Sequence, residues 1–333
     1  MQLQNPRFKY IRHITFNRIE HLQYMSKPEK YLISIIGPTA SGKTSLAVAL
    51  AQYYQTEIIS ADSRQFYRGM DVGTAKASEE ELNLVKHHFI DVLDVHENYN
   101  AGTFEVDALK VLDKIYENKD VAIMVGGSGL YINAVLFGID PFPEIPKEAR
   151  MNALKLYKEK GLQALRDELR RLDPIYFLEV DLDNPRRIMR ALEVCYASGR
   201  PYSSFRSHAP LQRNFTSIKL AYNWERDLLY ERINQRVNDM IENKLIAEVQ
   251  SLLPYKEEKA LDTIGYKEIF EFLDGKMSKE ETIELIKRNT RRYAKRQLTW
   301  FKKDEEIHWI NPIARIEEIV AYLDKQIKSS KDV

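Results

Sequence analysis

The run Gly37-Pro38-Thr39-Ala40-Ser41-Gly42-Lys43-Thr44 stands between a strand-like apolar stretch, Tyr31 to Ile36, and a helix-like one, Ser45 to Tyr54. Few folds accommodate that order. Glycines let the backbone curl until its N–H groups and the positive end of the following helix face one anion. Lys43 adds a point charge, and the Thr44 hydroxyl can reach a magnesium ion. The chain is therefore expected to bind a phosphate or pyrophosphate. Which phosphate it holds is left open by the loop, since most such loops serve ATP- or GTP-dependent chemistry.

Two compact units fit in 333 residues, and a hydrophobic content of 44% supports real cores. Lys plus Arg total 50 against 49 for Asp plus Glu, so a nucleic-acid footprint has to be sought in local clusters. The one cysteine, Cys195, excludes an internal disulfide and fits a reducing, cytoplasmic setting. Its apolar surroundings, Ala191 to Tyr196, read as core. No stretch approaches the roughly 20 apolar residues of a membrane span. Arg7, Lys9, Arg12 and Arg18 with Glu20 as the sole acid superficially resemble a transit peptide, but residues 1–24 hold no serine. Residues 1–28 are expected to be a disordered extension, with Met25 an alternative start.

Glu57 to Asp62, His88 to Val92, Val121 to Val125 and Ser217 to Tyr222 read as further strands, and Ala101 to Glu117 as a helix. Alternating strands and helices predict a parallel α/β sheet of the P-loop type, with its site at the carboxyl ends of the strands. Three prolines in Pro141 to Pro146 mark a change of character. Helices are predicted over 147–160, 162–172 and 185–197, the last with Asn184 as cap and Gly199 as terminator. Residues 142–215 are thus expected to be an inserted helical domain within a core of 29–141 and 216–333.

The strand Val121 to Val125 ends in Gly126-Gly127, where an ordinary NTPase would carry a magnesium-shell aspartate. Asp62, at another strand tip, is the candidate base for an attacking hydroxyl or amine, or else a turn or cap acid. Adjacent His87 and His88 point to opposite strand faces and do not predict a metal pair. From Lys287 to Lys303 eight residues are basic and none acidic, with Tyr293, Trp300 and Phe301 interleaved. Such a helix suits a nucleic-acid backbone, and Arg292, Lys295 and Arg296 are its candidate contacts.

GPTASGKT at 37–44, ISADSRQFYRGMDVGTAK at 59–76, HHFID at 87–91, GGSGLY at 126–131, NPRRIMRALEV at 184–194, IGYKE at 264–268 and TRRYAKRQLTWF at 290–301 together resemble the tRNA dimethylallyltransferase, or tRNA isopentenyltransferase, family. The resemblance implies transfer of a dimethylallyl group from dimethylallyl diphosphate to N6 of the adenosine at position 37 of tRNA, by a monomer using magnesium. It implies that Gly37, Pro38, Thr39, Ala40, Ser41, Gly42, Lys43 and Thr44 hold the diphosphate, with Thr44 on the metal. Asp62, Ser128 and Lys43 become the catalytic set. Asp62, Ser63, Arg64, Gln65, Ser128, Arg150, Arg186, Arg187, Ile188, Met189 and Arg190 would meet the tRNA anticodon stem-loop. The family pattern has threonine where this chain has Ser128. Tyr266 and Lys267 of IGYKE either support the tRNA site or cap a helix. Two rivals stand beside this reading: a P-loop kinase of small molecules or nucleotides, and a prenyl transferase acting on free adenine nucleotides. A pure RNA-binding module would leave Lys43, Thr44 and Asp62 without a role.

Overall fold

In the computed structural model, which describes residues 30–206 and 211–329, one parallel sheet organises the larger unit. Its strands are β1 (Tyr31–Ile36), β2 (Ile58–Ser60), β3 (His87–His88), β4 (Val121–Gly126), β5 (Thr216–Tyr222) and β6 (Ile307–Ile310). They lie in the order β3-β2-β4-β1-β5-β6, and every pairing is parallel. All six residues of β1 and all six of β4 are buried, as expected for central strands covered on both faces. The expectation for residues 1–28 lies outside the described residues.

Register brings the site together. Ile36 on β1 pairs with Gly126 on β4, and Ser60 on β2 pairs with Val125. Gly37, Gly127 and Ala61 therefore leave the sheet at one level on its carboxyl edge. The N–H of Ala61 donates to the Val125 carbonyl at 2.7 Å, which extends the β2–β4 pairing almost to Asp62.

Predicted strands shrank where the backbone turns. The third strand is His87–His88 and not 88–92, because Phe89 and Asp91 take positive φ angles of 64° and 54°. The two histidines do diverge: His87 Nδ1 meets the Val85 carbonyl at 2.8 Å, and His88 Nε2 meets Glu57 at 2.5 Å. Sequence reading missed β6 and the short helix Pro174–Glu179.

Residues Phe137–Gln212 form the second compact unit, a helical one. The expected limits of 142–215 shift because Leu211 N–H donates to the Phe137 carbonyl at 2.8 Å, closing the unit's neck before the prolines. A single helical span, Lys147–Leu172, is broken at Gly161 (φ 76°, ψ −171°), matching the two helices predicted there. The helix Pro185–Ser198 starts on an Asn184 side chain that accepts the Arg187 N–H at 3.3 Å, and it stops at Gly199 (φ 68°). Cys195 is core, as expected, and burial pushes its thiol up.

Asp173 is the one fully inaccessible carboxylate among the described residues. It accepts the N–H of Tyr176 at 3.0 Å, the N–H of Ser203 at 2.6 Å and the Ser203 hydroxyl at 2.8 Å. At about 1 kcal/mol per bond, Asp173→Ala is expected to lower the stability of the helical unit by about 3 kcal/mol. Denaturant unfolding followed by helical circular dichroism measures that loss; a change under about 1 kcal/mol would show the network to be dispensable.

Candidate active site

The phosphate loop is held by neighbours that local sequence could not reveal. Gly37 (φ 137°), Ala40 (φ 62°) and Gly42 (φ 88°) take positive φ angles, and Ala40 is the strained one because it carries a Cβ. Two side chains fix that bend. Arg232 Nε donates to the Ala40 carbonyl at 2.9 Å, and Trp224 Nε1 donates to the Ser41 carbonyl at 2.9 Å. The Arg232 guanidinium also lies 4.5 Å from the Trp224 ring centre.

Beside the loop is a cavity of about 400 Å³ whose wall includes Thr39, Lys43, Thr44, Asp62, Arg236, Thr290, Tyr293, Arg296 and Gln297. The phosphate loop, the candidate base and the basic helix Lys279–Phe301 thus share one chamber. Ile286, Thr290, Tyr293 and Gln297 turn into it at helical spacing, while Arg292 and Lys295 stay exposed.

Charge in the chamber is unbalanced. Desolvation, reinforced by Arg236, pushes the Lys43 ammonium down to about 8, against a partial counter-effect of Asp62. Its Nζ donates to the Pro38 carbonyl at 2.6 Å, so it bends back onto its own loop. Desolvation also lowers Arg236, Asp62 opposing and Arg232 adding to the shift. The Tyr293 phenol is pushed up to about 12 by desolvation and then by the Asp62 carboxylate. Two cations penalised for being charged are stabilised by an anion, and a diphosphate supplies one.

Several expected contacts have other work. Ser128 accepts the Ser63 N–H at 3.1 Å and donates to the Ser63 hydroxyl at 3.1 Å, so it braces the Asp62 turn while Gly126 and Gly127 form the cavity wall. Those two bonds place the Ser128 hydroxyl against the turn that carries Asp62. Arg64 donates to the carbonyls of Lys259 (3.1 Å), Ala260 (2.7 Å) and Asp262 (3.3 Å). Gln65 donates to the carbonyls of Thr74 and Ala75, both at 3.3 Å. Ile188 is wholly buried in the core of the helical unit. Arg150, Arg186, Arg187 and Arg190 are exposed, and Met189 is half-buried. Tyr266 is buried and donates to Glu248 at 2.6 Å; that carboxylate also accepts the N–H groups of Asp71 (2.9 Å), Val72 (2.7 Å) and Gly73 (3.0 Å). Tyr266 therefore supports the 71–76 loop, and Lys267 ion-pairs with Asp262 on the cavity wall.

Among the described residues no three His, Cys, Asp or Glu side chains gather as a metal cage. Magnesium does not require one, since it keeps waters and takes substrate phosphate oxygens with one or two protein oxygens. Thr44 and Asp62 on the cavity wall fit that sparse donor set.

A model of the family described as IPP transferase matches residues 65–304. The chain belongs to the IPP transferase family. It is 45% identical to a tRNA dimethylallyltransferase of Flavobacterium johnsoniae over 307 residues, covering 90% of this chain and 99% of that one. A tRNA dimethylallyltransferase of Christiangramia forsetii is 47% identical over 299 residues, with the same coverage. Among solved structures, the tRNA isopentenylpyrophosphate transferase of Bacillus halodurans superposes with a TM-score of 0.67 at 37% identity, over 91% of this chain and 98% of that one. A eukaryotic dimethylallyltransferase acting on tRNA gives a TM-score of 0.77 at 25% identity, over 90% and 80%. The family match begins at Gln65, beyond the phosphate loop, and takes in the 71–76 loop, the glycine turn and the basic helix.

Sequence reading missed Trp224, Arg232, Arg236 and Glu248. Arg232 and Arg236 lie four apart on the helix Arg226–Glu242, which mixes both charges and so hid them. Gln297 stood inside a quoted motif, but no local signal marked it as buried.

Proposed function

We propose that this chain transfers a dimethylallyl group from dimethylallyl diphosphate to N6 of adenosine 37 in a tRNA anticodon loop, acting as a cytoplasmic monomer. The observation that carries the reading is the single chamber in which the phosphate loop, Asp62 and the basic helix meet. The relatives' activity on tRNA supports it.

In this reaction the exocyclic nitrogen attacks C1 of the allyl group, and the C–O bond to diphosphate breaks with its electron pair on oxygen. Asp62 takes the proton that nitrogen loses. Lys43, the loop amides and Arg236 hold the departing diphosphate. Magnesium on Thr44 would screen the diphosphate charge when bound. An adenine stacked in an anticodon loop has to leave its neighbours to enter the chamber. Exposed Arg292, Lys295 and Arg296 on one unit, and Arg150, Arg186, Arg187 and Arg190 on the other, supply backbone contacts.

Radiolabelled dimethylallyl diphosphate offered with an unmodified anticodon stem-loop, with AMP or with no acceptor tests this directly. Label in the stem-loop alone is expected. Label only in AMP would make the enzyme a nucleotide prenyl transferase, and ATP-dependent phosphorylation without prenyl transfer would make it a kinase.

The depressed Lys43 gives a pH dependence with a definite sign. Below about pH 8 the free enzyme carries Lys43 as a cation, and above it the lysine is neutral. Diphosphate favours the cation, so affinity is expected to fall as pH rises through 8, by at most about tenfold per unit. The empty protein follows the opposite trend. The unfolded chain holds this proton up to about 10.5, so the Lys43 contribution to stability rises from pH 8 to 10.5. Calorimetry with diphosphate from pH 7 to 10 should show proton uptake; flat affinity with no uptake would remove Lys43 from the site.

A further inference from the structure

Gln297 has no part in the chemistry above, yet it is only 7% exposed and both ends of its carboxamide are bonded. Its Oε1 accepts the N–H of Thr39 in the phosphate loop at 3.0 Å. Its Nε2 donates to the Gly127 carbonyl at 2.9 Å. Gly127 leads into Ser128, whose hydroxyl accepts the Ser63 N–H beside Asp62. One side chain on the basic helix therefore links the cradle of the leaving group to the turn that braces the base.

The glycine turn is shaped for this link. A Cβ on Gly127 would lie 2.4 Å from Gln297 Nε2 and 3.3 Å from the Gly37 carbonyl oxygen. A Cβ on Gly129 would lie 2.3 Å from Trp300 Nε1. Gln297 and Trp300, three residues apart, share the helix face that rests on those two glycines. A loop amide that could have faced the anion is instead committed to protein, which favours a role in shaping the loop over one in binding charge.

We propose that Gln297 is a positioning residue for the transfer step, fixing the gap between the diphosphate loop and Asp62 from the buried side of the basic helix. The inference rests on the transferase reading. Displacement at a carbon centre needs nucleophile and leaving group in line, and an error of about 1 Å costs on the order of 10²-fold in rate. Substrate affinity depends on charges that Gln297 does not supply, so its loss should act on kcat and spare KM.

Gln297→Met keeps the length and burial of the side chain and removes both bonds. On the full chain with stem-loop and dimethylallyl diphosphate, kcat is expected to fall on the order of 10²-fold while both KM values stay within about threefold. Hydrogen exchange at the Thr39 amide should speed up. Gly127→Ala should reproduce the kcat loss by displacing the carboxamide. Combining it with Gln297→Ala, which makes room for the added methyl group, should cost no more than the worse single variant. An unchanged kcat, or a rise in KM alone, overturns the proposal, as does Thr39 exchange that stays slow. If the wild-type chain transfers nothing to RNA while Gln297→Met still speeds Thr39 exchange, the transferase reading fails and takes the positioning role with it.

Discussion

Asp62→Asn is expected to lower kcat for transfer to a tRNA stem-loop by about 10³-fold, the middle of the range for loss of a general base. Asn is the informative replacement because the backbone is spared. Arg64 N–H donates to Asp62 Oδ1 at 3.1 Å, and the amide oxygen of Asn can accept the same bond. What disappears is the negative charge and the ability to take a proton. Asp62 also opposes the downward shift of both Lys43 and Arg236. Its neutralisation should move the fall in diphosphate affinity to a pH below 8, which reads out the charge of Asp62 separately from its capacity to take a proton. Single-turnover transfer and diphosphate titration between pH 6 and 9 measure the two consequences. A loss under tenfold in kcat would reduce Asp62 to a turn residue and require another proton acceptor.

Gly126→Ala should strike both stability and activity. A Cβ at this position would lie 2.4 Å from the carbonyl oxygen, 2.6 Å from the carbonyl carbon and 3.0 Å from the Cα of Ala61, all of them backbone atoms. No rotamer change relieves such a clash, so the end of β2 has to move. Overpacking of this kind costs about 3 kcal/mol. The displaced strand end carries Asp62 one residue later, and a shift of about 1 Å there is worth on the order of 10²-fold in rate. Gly275→Ala is the control. Gly275 has a positive φ of 75° with nothing within 4 Å of the added methyl group, so it bears only a backbone penalty of about 1 kcal/mol and should keep full activity. Thermal unfolding of the three proteins, with transfer rates measured well below the transition, separates these effects. Gly126→Ala melting with wild type would mean that the β2–β4 contact is softer than its geometry indicates.

The legible parts of the molecule were those written in neighbouring residues. The loop from Gly37 to Thr44 announces its own conformation, because glycine, lysine and threonine at that spacing serve one anion between a strand and a helix. Asn184, Pro185 and Gly199 mark a helix through chemistry that acts over a few residues. The apolar runs of β1 and β4 predicted buried parallel strands. β6 escaped notice because Ile307–Ile310 is short, with His308 exposed and Trp309 half-buried, and it becomes a strand by pairing with β5. The surroundings of Ser128 were illegible for a related reason: a hydroxyl in a glycine motif suggests a substrate contact, and only the position of Ser63 reveals the bond by which it also braces the Asp62 turn.

By itself, then, the sequence determined a parallel α/β core around an anion-binding loop, a helical insertion, and an acid-free basic run, Lys287 to Lys303, whose charge suits RNA. These follow from local spacing, hydrophobic period and charge, which a chain carries whether folded or not. The tertiary structure alone decided how the loop is held in its strained form by Trp224 and Arg232, and why Lys43 and Arg236 lose part of their preference for charge. It decided that Ile188 belongs to a core, that Glu248 fills the amides of the 71–76 loop, and that Gln297 links loop to turn. Each of those depends on residues tens to hundreds of positions apart meeting within hydrogen-bond distance in a desolvated space, and no local pattern encodes such a meeting.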